Sequence, residues 1–329
     1  MNMTSVKSPH IAKYAAIAVA LGASASPSFG STRRATRVSQ KNPKDRNAVI
    51  PETAFGSPRD FLNNRFVYAV ISPRARGLSL GVNMNPDKSC SFDCLYCEVD
   101  RRTPPRETKL DVDAMAAELH KTLAFVMTGK LHERLSFSAL SEELLTLRHV
   151  ALSGDGEPTL APNFAQAVES IVHVRALGEF PFFKMVLLTN ATGLDRPQVQ
   201  QGLKHFTKSD EIWAKLDGGT QAFFNQVDRS AVSLEKVLSN ILLVARQRPV
   251  IIQSLFPAIN GDEPVSGEIE EYAQRLKELK SAGADIPLVQ IYSATRPMSH
   301  VECGHLPLKT LSQIAQTVRH VSGLKAEVF

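Results

Sequence analysis

Apolar residues fall into two rhythms along this chain. From about Phe66 onward, short runs rich in aliphatic and β-branched residues alternate with longer stretches whose apolar positions recur every three or four residues. The short runs, bounded by turn formers, predict strands at 66–71, 78–82, 149–152, 184–188, 211–215, 250–255 and 288–292. The longer stretches predict helices over 111–126, 163–176, 197–205, 233–246, 268–282 and 308–321. In the first of these Val112, Met115, Leu119 and Leu123 make the apolar face, with Asp111 or Asp113 near its start. The connection 127–148 is longer than usual, and a further helix is predicted over 133–147. Trp213 is expected to pack between its strand and a helix. Apolar strands alternating with helices imply a parallel sheet covered by helices, an α/β fold. About six such units suit an open or partial (β/α) barrel as well as a doubly wound sheet.

Composition narrows the class. With 43% hydrophobic and 22% charged residues, the 329-residue chain can bury a sizeable core. No apolar run reaches the roughly 18 residues of a membrane span, so no membrane association is expected. The net charge of +5 is unevenly placed: residues 1–56 carry eight Lys/Arg against Asp45 and Glu52, leaving 30 basic and 31 acidic side chains in 57–329. A near-neutral body argues against a broad field for nucleic acid, although a local basic groove remains open. The division expected is a tail, 1–56, and a folded core, 57–329. In the tail, Lys7 and Lys13 precede an apolar run and Ala23-Ser24-Ala25 resembles a cleavage site, while the scarcity of acids resembles a transit peptide. A disordered extension or an upstream start are the alternatives.

The cysteines change the picture most. Cys90, Cys94 and Cys97 lie within CSFDCLYC, and the fourth, Cys303, is more than 200 residues away. Three clustered thiols leave one unpaired as disulfides. A closed zinc site wants a fourth ligand, yet no His lies between Phe66 and Arg106. A cubane [4Fe–4S] cluster usually takes four thiolates, so three leave one iron open to a substrate or cofactor. Such a site suits a reducing compartment, and a cytoplasmic location is expected, with targeting by the tail left open. Cys303 reads as a half-buried small hydrophobe, with a second-cluster ligand, radical relay or substrate anchor as alternatives.

Cys90-xxx-Cys94-x-Tyr96-Cys97 resembles the cluster motif of the radical S-adenosylmethionine (SAM) superfamily. The flanks Gly77-Leu-Ser-Leu-Gly-Val-Asn83 and Cys97-Glu98 are similar to its branch of wyosine-type tRNA-modifying enzymes. The resemblance runs from about Val67 to Pro297 and implies a partial (β/α)6 TIM-like barrel. It implies Cys90, Cys94 and Cys97 as metal ligands, with a [4Fe–4S] cluster and SAM as cofactors. The string Val150-Ala-Leu-Ser-Gly154-Asp155-Gly156-Glu157-Pro158 ends a buried strand, and its glycines allow close backbone approach. Gly156 and Glu157 match the family's Gly-Gly-Glu element, which meets the SAM amino group; Asp155 stands where the family often has the first glycine.

Later strand ends fit less specifically: Thr189 and Asn190 close the third strand and Lys215-Leu-Asp217 the fourth, while Gln253 sits on the fifth and 290–292 form the sixth before Arg296-Pro297. Residues at the C-terminal ends of parallel strands line the active-site face of barrels. The resemblance assigns cofactor contacts to Tyr96, Gly156, Glu157, Thr189, Asn190, Asp217 and Gln253. It implies one-electron cleavage of SAM to a 5′-deoxyadenosyl radical that takes hydrogen from a substrate, with a flavodoxin- or ferredoxin-like electron donor. The substrate is an RNA base or a protein or peptide partner. A non-enzymatic iron–sulfur or zinc module is the competing reading, and the chain is taken as a monomer.

Overall fold

Strand β1 (Val67–Ser72) turns back into β2 (Gly77–Asn83) as an antiparallel hairpin, with Val67 opposite Val82 and Ser72 opposite Gly77. Every later pairing in this sheet of the computed structural model is parallel: β3 (Leu147–Ser153), β4 (Lys184–Thr189), β5 (Glu211–Lys215) and β6 (Val250–Leu255) follow. A short β7 (Ala258–Ile259) intervenes before β8 (Val289–Tyr292), β9 (Cys303–Gly304) and β10 (Ala326–Val328), with β8 beside β6, β10 beside β8, and β7 paired with β9. The structure describes residues 54, 55, 61–294 and 300–329. The chain divides into Met1–Val49 and Ile50–Phe329, and all described residues belong to the second unit. The tail reading for 1–53 and 56, and Arg296-Pro297, lie outside them.

Strand order separates the two candidate architectures. The sheet runs β1-β2-β3-β4-β5-β6-β8-β10, each parallel strand added to the same growing edge. Right-handed crossovers added in one direction put every covering helix on one face and curl the sheet. A doubly wound sheet would reverse direction at a switch point, and this one does not. The result is an open (β/α) barrel whose six expected strands are β2, β3, β4, β5, β6 and β8. β10 adds a seventh.

The covering helices are α1 (Val112–Met127), the single turn α2 (Glu142–Leu145), α3 (Phe164–Ala176), α4 (Pro197–Leu203), α5 (Gln221–Val227), α6 (Leu234–Ala245), α7 (Ser266–Ser281) and α8 (Leu308–Ser322). Asp111 caps α1, accepting from the Ala114 amide at 3.0 Å. Alternate strand residues such as Leu80, Val82, Val150, Leu152 and Ile212 pack with Met115, Leu119, Val168, Ile241 and Leu276 in one buried core. Their neighbours in the strands turn the other way, into the barrel, and many are polar: Asn83, His149, Ser153, Lys215, Gln253 and Gln290.

Two expectations need correction. The helix predicted over 133–147 is a 3-10 turn, Lys130–Glu133, followed only later by α2. Between them Ser138 Oγ bonds the Leu135 carbonyl at 3.0 Å, the local bonding by which serine competes with helix. Phe137 is meanwhile buried edge-on against Phe61, with ring centroids 6.0 Å apart. Trp213 is the second. Ile212 and Ala214 take the helix-facing positions, so Trp213 faces the interior. Its ring meets His149 at 84° and 5.3 Å, and its indole N–H donates to Glu211 Oε2 at 2.8 Å.

Candidate active site

The cysteine loop leaves the C-terminal end of β2 and is held by segments that arrive much later in the chain. The Met84 amide donates to the Ser153 carbonyl at 2.9 Å, and the Glu157 amide to Ser89 at 2.9 Å. Gly156 lies so close beneath that a Cβ there would stand 2.0 Å from the Ser89 oxygen. The close approach at this glycine is thus to the cysteine loop itself. Amides of Asp93 and Leu95 donate to the Asp228 and Val227 carbonyls at 3.1 and 2.7 Å, at the end of α5. Ser230 Oγ donates to the Ser91 carbonyl at 3.0 Å, and the hydroxyls of Ser91 and Thr192 meet at 2.7 Å.

On this frame the three thiols are half-buried. Asn190 Nδ2 lies 3.8 Å from Cys90 Sγ, and Cys94 Sγ points at Asp228 Oδ1, 3.4 Å away. Cys97 closes a turn whose amide donates to the Cys94 carbonyl at 2.9 Å. Burial pushes the Cys90 thiol up and the Cys94 thiol up much further, Asp228 adding to the second. Burial works against the Arg101 guanidinium, but Cys97 and Cys90 together outweigh it and raise its pKa. Among the described residues no three Cys, His, Asp or Glu side chains already stand together as an ion-holding group. The donors nonetheless fit an iron–sulfur core in kind: three sulfurs on one short loop, with a cation beside two of them.

Glu157 is a latch between strand ends. Its Oε1 accepts from the Thr159 amide at 3.1 Å, from Thr159 Oγ1 at 2.6 Å and from Thr189 Oγ1 at 2.5 Å. Oε2 accepts from the Asn190 amide at 2.7 Å. Burial raises the pKa of this carboxyl, while the four donors pull it back. Asn190 passes the link on, donating to Ser91 Oγ at 3.0 Å while its Oδ1 accepts from the Thr192 amide at 3.1 Å.

Inside the barrel, Tyr96 donates to Asp217 Oδ2 and accepts from Lys215 Nζ, which also lies 4.3 Å from the centre of its ring. The other Asp217 oxygen accepts from the Leu255 amide at 2.8 Å. Burial raises the Tyr96 phenol far above its usual value, with Asp217 next in effect. Burial disfavours the Lys215 ammonium, but Asp217, Tyr292, Cys94 and Asp228 together outweigh it and its pKa is raised. Burial, then Asp217, pushes the Asp228 carboxyl well up. Gln253 is Lys215's neighbour in register and donates to Gln290 Oε1 at 2.9 Å. Of the expected site residues, Cys90, Gly156, Glu157, Thr189 and Asn190 form one connected group around the loop. Cys94, Tyr96 and Asp217 form a second through Asp228 and Lys215, and Gln253 stands apart from both. Cys303 is buried among Leu95, Tyr96, Leu255 and Tyr292, where burial pushes its thiol up to about 11, as a small hydrophobe would be.

Asp228, Ser91, Thr192 and Ser230 were missed as functional positions, whereas Lys215 was named only as part of the fourth strand end, Lys215-Leu-Asp217. Its pairing could also have been foreseen, since a lysine inside an apolar strand is rarely buried without a partner.

No family model matches the chain. It is 26% identical to a UPF0026 protein of Helicobacter pylori over 69% of this chain and 67% of that one. It is also 27% identical to a UPF0026 protein of Methanocaldococcus jannaschii, over 53% of this chain and 48% of the relative. A radical SAM methyltransferase from Sphaerobacter thermophilus superposes over 80% of this chain and 68% of its own, with TM-score 0.54 and 15% identity. The fold is that of radical SAM enzymes. A structure of TYW1 with a lysine-pyruvate adduct bound matches over 76% of this chain and 75% of its own, with TM-score 0.50 and 15% identity. Streptococcus suis SuiB bound to S-adenosylmethionine matches over 74% and 49%, with TM-score 0.50 and 12% identity. The cysteine loop follows β2 at the C-terminal ends of the parallel strands, the face on which (β/α) barrels gather their site residues.

Proposed function

We propose that this chain is a radical SAM enzyme in which Cys90, Cys94 and Cys97 hold a [4Fe–4S] cluster, one iron being left to SAM. The observation that carries the reading is the docking of a three-thiol loop onto the C-terminal strand ends through Gly156, Glu157 and Asn190. When bound, such a cluster supplies one-electron cleavage of SAM and hence hydrogen-atom abstraction from an unactivated carbon. The protein's part is to position and to exclude water. Glu157 fixes the β3 and β4 ends under the loop, and its Oε2, accepting one hydrogen bond, keeps capacity for the SAM amino group. Asn190 orients Cys90, and Arg101 offsets negative charge at Cys90 and Cys97. The Tyr96–Lys215–Asp217 group holds the loop's aromatic residue against the interior.

The resemblance to the wyosine-type branch makes an RNA base the first substrate class; the near-neutral charge of 57–329 favours a protein or peptide partner as the second. A flavodoxin- or ferredoxin-like donor supplies the electron. Anaerobic reconstitution with iron and sulfide is expected to load about four irons per chain, and reduction with SAM to release 5′-deoxyadenosine. One zinc per chain with no acid-labile sulfide would establish the non-enzymatic module instead. Mass spectrometry of RNA and proteins from cells with and without the gene distinguishes the substrate classes.

A further inference from the structure

A cavity of about 270 Å³ opens at the N-terminal end of the barrel, remote from the cysteine loop along the strands. The first residues of β4 and β5, Lys184 and Glu211, line it together with His149, Trp213 and Gln290, and Arg74 enters it from the β1–β2 turn. Most of its charges satisfy one another. Lys184 Nζ lies 2.5 Å from Glu211 Oε1, and Glu327 pairs with Arg76 at 3.0 Å and Lys325 at 2.7 Å.

Two lining groups are left over. The Arg74 guanidinium carbon sits 4.2 Å above the Tyr292 ring, and its Nε is buried with no hydrogen-bond partner. His149 is 1% exposed and its Nδ1 is likewise buried and unpartnered. Buried polar atoms without partners are rare, and two on side chains that line one cavity suggest that these side chains turn to meet a ligand there. Burial, then Lys184 and Arg74, lowers His149 to about 3, so the imidazole is neutral at physiological pH and can donate. Arg74 and His149 lie close enough for the guanidinium to affect the imidazole.

We propose that this cavity binds a small organic monocarboxylate, with Arg74 as its charged partner, His149 as a hydrogen-bond partner and Trp213 flanking its apolar part. A guanidinium suits a carboxylate in shape and charge. Of the four cationic side chains in the lining, Lys184 pairs with Glu211 while Arg76 and Lys325 share Glu327, which leaves Arg74 for one carboxylate, and the two acids oppose a dianion. This site does not depend on the cysteine loop's chemistry.

Trp213 is the chain's single tryptophan, so its fluorescence reports this cavity alone. The full-length protein is titrated with sodium butyrate, with butyramide, sodium chloride and sodium phosphate in parallel. A saturable change with butyrate, half-complete below about 10 mM as suits so small a ligand, is expected, with no such change for butyramide or chloride. Arg74→Met is expected to weaken butyrate at least tenfold and His149→Phe less, with Arg74→Lys in between and far-UV circular dichroism unchanged. Should Arg74→Met not fold, Arg74→Lys carries the same comparison. The proposal is overturned by no saturable response to butyrate, by an equal response to butyramide, by saturation with phosphate alone, or by wild-type butyrate binding in the folded Arg74 variants.

Discussion

At the C-terminal end of the barrel the polar side chains are tied into networks by other parts of the chain, with Asn85 Oδ1 and Asp228 Oδ2 left unmet among them, whereas at the N-terminal end the unmet atoms, Arg74 Nε and His149 Nδ1, belong to the lining of a cavity. Glu157 takes four protein donors, and Asn190 and Asp217 are each held from more than one side. What that end presents is sulfur. The other end pairs its lysines with glutamates and leaves the buried Arg74 Nε and His149 Nδ1 without partners. The difference separates a rigid cradle, which fixes three thiols, from a receptive cavity, whose unmet hydrogen bonds favour an incoming molecule.

The comparison can be broken at either end. The largest effect is expected for Cys94→Ala: 5′-deoxyadenosine release abolished and iron content strongly reduced, with Trp213 fluorescence unchanged. Retained SAM cleavage in this variant would refute the proposed enzyme. Glu157→Ala strands the Thr159, Thr189 and Asn190 donors in a dry site and is expected to cost about 3 kcal/mol in urea unfolding, with loss of iron loading.

The third prediction is a pH dependence confined to the N-terminal end. His149 titrates at about 3 folded against 6.5 ordinarily, so the unfolded chain binds the proton first as pH falls. Its stabilising contribution is complete above pH 6.5 and drains away toward 3. By a pH of about 4.5 the wild-type chain is expected to have lost about 2–3 kcal/mol more than His149→Phe, measured by denaturant unfolding. Equal losses would show that this imidazole is not held neutral. The smallest effect belongs to Asn190→Ala, which removes the bond to Ser91 and the contact with Cys90. It is expected to cost about 1 kcal/mol and to quicken iron loss from the reconstituted protein.

The strands were legible because their apolar runs are bounded by turn formers, and the cysteines because their spacing leaves one thiol unpaired. Glu157 and Asn190 could be placed because each follows a buried strand. α5 was not legible. It spans seven residues, as α4 does, but lacks the proline that opens α4; its cap is Thr220, whose hydroxyl accepts from the Phe223 amide at 3.2 Å. Missing it hid Val227 and Asp228, which grip the cysteine loop through backbone carbonyls that carry no side-chain signature. β10, at three residues, is equally silent. Trp213 failed for a different reason: alternation tells which residues share a face, but not which face is inside.

The distance along the chain between the cysteine loop and its anchors has a consequence for biogenesis. Residues 90–97 leave the ribosome well before Glu157, Asn190, Val227 and Ser230, the groups that grip them. A nascent chain that has reached only β3 therefore carries its thiols on an untethered segment, open to oxidation or to the wrong metal. If the loop holds the proposed cluster, iron reaches a correctly shaped loop only after about residue 230 has been synthesised and α5 has docked.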